Sequence, residues 1–134
     1  MTHHILTWTG RDIPVPDRAP ETEAYWSAWE RGELWLRRCK HCGKAHHYPR
    51  SLCPYCFGET TWERASGKGV VYSYSAVLRA AVPYVIAYVT LAEGPAVLTN
   101  LIGCDVAEVA IGRPVRLAPG PADGGPPIPM FELA

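Results

Sequence analysis

What the chain lacks narrows its function first. No apolar run approaches the roughly eighteen residues that a membrane-crossing helix needs, and the N-terminal MTHHILTWTGRDIPVP has neither a basic start nor an apolar core of a leader. A cytoplasmic location with no membrane partner is the expectation. Neither charge sign is in excess: 13 basic residues balance 13 acidic ones, so the bulk charge predicts no polyanionic partner. There is no G-x-S-x-G, P-loop, G-x-G-x-x-G or H-E-x-x-H pattern, and no nucleophile stands beside a recognisable base. Outside one short window the only cysteine is Cys104, which follows a glycine and reads as a small apolar filler.

The residues present are unevenly spread. Cys39, Cys42, Cys53 and Cys56 form two C-x-x-C pairs with ten residues between them. In a reducing compartment such pairs are metal ligands rather than disulfides. Each tight loop delivers two thiolates, two loops complete a tetrahedron, and no position is left for water or substrate. The metal is therefore expected to be structural zinc, with iron the chemical rival in the same four-thiolate site. Gly43 and Gly58 are placed to supply the permissive backbone such knuckles need. His41, His46 and His47 are not required as ligands, because sulfur already fills the sphere.

Between Arg31 and Lys68 lie eight basic and three acidic residues, leaving five basic and ten acidic in the flanks. Arg37, Arg38, Lys40 and Lys44 offset the charge of a four-thiolate centre; the functional reading of the same cluster is an anion site.

Residues 1–19, with Pro14 and Pro16, read as an extended arm. A helix is expected from Pro20, with Glu21 and Glu23 at its positive end and Gly32 as its stop. Tyr25, Trp26 and Trp29 give it an aromatic face, open to two readings: burial in its own core or docking on a partner. After LWLRR and the cysteines, period-two β-formers take over in VVYSYSAVLRA, YVIAYVTLA, PAVLTNLIG, RPVRLAP and IPMFEL. Five short strands predict a small closed or nearly closed barrel. DVAEVAIG predicts a helical turn between the third and fourth, and PGPADGGPP leaves a short closing hairpin that puts full closure in question.

The ordered set of aromatic helix, LWLRRCKHCGK, YPRSLCPYC, Trp62 and GKGVVYSYS resembles the acyl-CoA-associated OB-fold proteins with an N-terminal rubredoxin-like zinc ribbon, a domain-of-unknown-function family. The likeness runs over residues 20–132. It implies a mainly β fold: N-terminal helix and zinc ribbon over 20–66, then a five-stranded OB-like barrel over 67–134. It also implies a non-catalytic accessory subunit of a thiolase-superfamily complex that forms or cleaves carbon-carbon bonds in CoA thioesters, as a hetero-oligomer with a thiolase-like chain. The match carries over Cys39, Cys42, Cys53 and Cys56 as zinc ligands. No motif fixes the CoA contacts; Arg37, Arg38, Lys44 and Arg50 are candidates because phosphates need charge-assisted donors. Tyr25, Trp26 and Trp29 are the candidate partner surface.

Two other functions compete. A free-standing acyl-CoA binder would need an apolar pocket, for which ribbon and barrel leave little interior. Nucleic-acid binding would suit a ribbon plus barrel, but the barrel half is acidic, and Tyr72, Tyr74 and Tyr88 stand among Val, Ala and Leu rather than Lys and Arg.

Overall fold

The computed structural model describes residues 5–134; the first four residues of the expected arm lie outside the described residues. The arm is extended and tied down. Leu6 is fully buried, its N–H donates to Cys104 O at 2.8 Å, and its carbonyl accepts from Gly103 N.

Helix α1 (Glu23–Glu30) begins three residues after Pro20, because Ala19 and Thr22 close a turn of their own first. Thr22 then accepts from Trp26 N. Gly32 ends the helix at φ +76, and its N–H returns to Trp29 O. Here glycine is also a packing requirement, since a side chain on the facing Gly120 would lie 2.5 Å from Gly32 Cα.

The ribbon sheet follows as β1 (Trp35–Cys39), β2 (Ala45–His46) and β3 (Thr60–Arg64), in the order β2-β1-β3, antiparallel throughout. The barrel is β4 (Lys68–Val77), β5 (Tyr84–Leu91), β6 (Ala96–Leu101), β7 (Pro114–Leu117) and β8 (Phe131–Leu133). Its order is β4-β5-β6-β8-β7, with β7 returning to β4. All five strands expected from the alternation are present. Val85, Ala87, Val89 and Leu91 point inward while Ile86 and Tyr88 face out, which is the period-two pattern made physical. The expected helical turn is a 3-10 turn at Val106–Glu108, closed by a capping box from Asp105.

The barrel closes in spite of its Pro/Gly-rich hairpin. β8 pairs antiparallel with β7 over three residues, and meets β6 in parallel at the single pair Leu101↔Phe131. The hairpin is held from outside the barrel by Trp29 Nε1, which donates to Pro126 O, and from within by Gly125 N, which donates to Gly120 O.

One hydrophobic cluster joins Tyr25, Trp26, Leu34 and Leu36 to Val85, Leu101 and Phe131. Each such side chain, fully buried, contributes about 1.5–3 kcal/mol. The aromatic face of α1 is thus turned inward. Tyr25, Trp26 and Trp29 are 3%, 9% and 2% exposed, and the expectation that they present a partner surface gives way to burial in their own core. The physical reason is that a single helix beside a barrel has only one apolar neighbour large enough to cover three rings.

Candidate metal centre and apolar cavity

The two cysteine loops are built alike. Cys39 ends β1, and Gly43 N donates back to Cys39 O; in the second loop Phe57 N donates back to Cys53 O. The residue after each pair takes the left-handed conformation, Gly43 at φ +78 and Phe57 at φ +63. Sequence reasoning placed the second permissive backbone at Gly58, but the strained position is Phe57. Gly58 is glycine for space: a Cβ there would meet Cys39 Sγ at 3.1 Å and Cys56 Sγ at 3.3 Å.

The four sulfurs lie within 4.8 Å of one another, with Cys39–Cys56 at 3.5 Å and Cys42–Cys53 at 3.7 Å. A tetrahedron with Zn–S bonds of about 2.3 Å has edges of about 3.8 Å, so the donor set is sized for zinc. Amide groups already point at sulfur: His41 N and Cys42 N at Cys39 Sγ, both 3.3 Å, and Tyr55 N at Cys53 Sγ, 3.4 Å. These donors favour thiolate, and Cys42 N, with His41 N adding to it, lowers the Cys39 pKa to about 6. A metal here would have four sulfur ligands and no open position, which is scaffold chemistry.

The nearby histidines are occupied elsewhere. Buried His46 accepts from Arg50 N at 3.3 Å, and His47 Nε2 meets Tyr25 Oη at 3.0 Å. Cys104 is buried and its thiol pKa is pushed up by desolvation first, consistent with an apolar filler.

The four candidate phosphate contacts do not converge. Arg37 and Arg38 are successive residues of one strand and leave it on opposite faces. Arg38 pairs with Glu63 at 2.9 Å, donates to Gly43 O at 2.7 Å, and shares a hollow with Lys44 and Tyr55. Arg37 stacks 4.6 Å from the Trp62 ring and donates to Arg50 O at 3.4 Å. Arg50 lies 5.6 Å from the Tyr48 ring centroid and 3.6 Å from Glu21.

Arg50's ring partner Tyr48 is also part of a second feature, which the sequence did not reveal. A cavity of about 400 Å3 opens between arm, helix and barrel, walled by Ile13, Pro16, Trp26, Val97, Ile128 and Phe131. Tyr25, Trp26, His47, Tyr48 and Thr99 are its lining residues with polar side-chain groups. Burial, the largest cause, pushes the His47 pKa down to about 4, so the ring is neutral at physiological pH. The little interior expected of so short a chain is contradicted by this space. Its walls come from segments far apart in the chain, and no local spacing announces them.

Residues 26–63 match the family described as "ChsH2, rubredoxin-like zinc ribbon domain", and residues 62–118 match "ChsH2, C-terminal OB-fold domain". A "DUF35 domain-containing scaffold protein" of Methanothermobacter thermautotrophicus is 30% identical over 125 residues, spanning 87% of this chain and 81% of that protein. The chain belongs to the DUF35 family. This DUF35 chain is also 36% identical over 119 residues to the "Probable enoyl-CoA hydratase alpha subunit" of Thermomonospora curvata, a match to 83% of this chain and 37% of that protein. It therefore spans little more than a third of that relative. Among solved structures, "Ltp2-ChsH2(DUF35) aldolase" contains a chain similar to this DUF35 protein with a TM-score of 0.71 and 30% identity, covering 88% of this chain and 98% of that one. Among the described residues of the DUF35 chain no helix is long and apolar enough to cross a membrane.

Proposed function

We propose that this DUF35 chain is a non-catalytic accessory subunit of an enzyme complex that acts on acyl-CoA thioesters, with a thiolase-superfamily chain as its partner. The observation that carries the reading is the cluster of four cysteines, the one group of metal-ligating side chains found among the described residues, whose geometry leaves a bound metal no site for substrate. A coordination sphere of that kind stiffens a surface rather than reacting. The relatives point the same way, since their names are those of a scaffold, a hydratase alpha subunit and an aldolase assembly. Arg50, beside the cavity-lining Tyr48, and Arg37, bonded to the Arg50 carbonyl, support a contact to a CoA phosphate in this reading.

Native mass spectrometry of the chain co-expressed with a thiolase-superfamily candidate tests this. The expected result is a hetero-oligomer with one zinc per DUF35 chain, and thioester turnover only when both chains are present. Turnover by the isolated chain at the rate of the mixture would refute it.

A further inference from the structure

The barrel closes on only part of β4. Strand β7 holds it at Lys68, Gly69 and Val70, and Arg113 O and Gly112 N extend that contact to Val71. A bulge between Val71 and Ser73 then bends the strand. From Ser73 to Val77, β4 pairs with β5 alone, and no described strand lies on its other side. Leu91 N donates to Pro95 O on the β6 side, so the alternate residues Tyr84, Ile86 and Tyr88 of β5 turn their backbone groups toward β4. Their partners there are Val77, Ser75 and Ser73. The backbone N–H and C=O groups of Tyr74 and Ala76 therefore point outward along an open edge.

Edges of this kind are commonly blunted by lysine, proline or a covering segment. This one has none of the three. Ser75 and Ala76 are exposed, and Tyr74 and Tyr72 are 41% and 67% exposed. Between Gly69 and Ala92 the one charged residue is Arg79, and the one proline, Pro83, lies beyond the strand. Unpaired backbone donors and acceptors thus stand beside uncharged, partly apolar side chains, a ready template for another strand.

The occupant that fits is the same edge of a second copy. Two β4 strands related by a two-fold axis run antiparallel. With Ser75 on the axis, Tyr74 of each copy lies opposite Ala76 of the other, and all the outward N–H and C=O groups of these residues are used. Self-pairing across an axis is costly where like charges meet. From Gly69 to Leu78 there is no charge, and the two Arg79 side chains fall at opposite ends of the paired segment. Each Tyr74 ring also lies over a small alanine rather than over its own twin.

We infer that the DUF35 chain forms a two-fold dimer by antiparallel pairing of β4 over residues 73–77. The dimer goes beyond the accessory reading and does not rest on it. One continuous sheet then carries two ribbons, so the chain is a divalent support.

Sedimentation equilibrium of the full, zinc-loaded chain up to about 200 μM tests this, because a contact one strand wide is small. The expected mass approaches twice that of one chain. Ala76→Pro removes an outward N–H that has no partner within the chain; it should weaken the dimer at least about tenfold and leave the melting temperature of the dissociated chain unchanged. Ser75→Lys and Ser75→Glu set like charges face to face on the axis. Each alone should be monomeric, and an equal mixture of the two should regain the dimer. A natural chain that stays monomeric at about 200 μM would overturn the inference, as would a dimer that survives Ala76→Pro or a mixture no tighter than either charged variant alone. If the natural chain is monomeric but Ala76→Pro releases a co-expressed enzyme chain, the edge belongs to that chain and not to a second copy. None of these masses depends on thioester turnover, so the two readings fail separately.

Discussion

Lowering the pH from about 8 to about 5 should destabilise the native chain through His47, and the size of the effect follows from its burial. Desolvation, with neighbouring His46 adding a smaller charge repulsion, holds the native pKa at about 4, whereas an unfolded histidine titrates near about 6.5. The folded value is the lower one, so the native state favours the neutral ring. Its stabilising contribution is complete above about pH 6.5 and is lost as the pH falls toward about 4. The full gap of roughly 2–3 pH units is worth about 3 kcal/mol, and at about pH 5 roughly 2 kcal/mol of it is gone. With an unfolding entropy of about 2.1 cal/mol/K per residue, that lowers the melting temperature of a chain of this size by about 7 °C. His47→Gln keeps a polar group for Tyr25 but cannot titrate. Thermal melts of both proteins at the two pH values, in zinc-containing buffer, isolate the ring, because metal release and protonation of His46 occur in each. The natural chain should lose about 7 °C more than the variant; equal losses would refute the assignment of a buried, neutral His47.

Three further outcomes are expected. Phe57→Gly should raise stability by about 0.5–1 kcal/mol, since φ +63 is costly for any side chain and this one, 78% exposed, gives up little packing; denaturant melts would show it. Gly58→Ala should lower metal affinity on the order of tenfold, because the new methyl would sit against two sulfurs and His41 Cβ at 3.0 Å; competition with a chelating dye measures this. Cys39→Ser, or stripping the metal with chelator, should abolish stoichiometric zinc and unfold the ribbon, as thiolate coordination contributes about 10–16 kcal/mol in such modules; elemental analysis with circular dichroism reads both, and identifies iron if it is the ion present.

Local chemistry made part of this architecture readable. The two C-x-x-C pairs announce a metal site because the ligands are contiguous, and the barrel strands announce themselves because alternation is a property of neighbours. The helix was legible except for its start, where a Thr22 turn competes with Pro20. Properties that depend on distant segments were not. The inward turn of Tyr25, Trp26 and Trp29 depends on the barrel lying behind them. The split between Arg38 with Lys44 and Arg37 with Arg50 follows from the pleat of β1 and from where the second cysteine loop folds back. The cavity needs arm, helix, ribbon and barrel assembled before it exists. Phe57 in a left-handed turn could have been suspected only by aligning the two knuckles, where it occupies the place of Gly43.

The seam at residues 102–104 has a kinetic consequence. Ile102 N donates to Phe131 O while Gly103 and Cys104 hold Leu6, so segments from opposite ends of the described chain meet on one three-residue stretch. Contacts of such long sequence separation form late and slowly. During synthesis the sulfur ligands emerge dozens of residues before Phe131, so the ion can be captured on the ribosome while the barrel is still an open sheet, and the emergence of Phe131 becomes the earliest moment at which that sheet can be sealed.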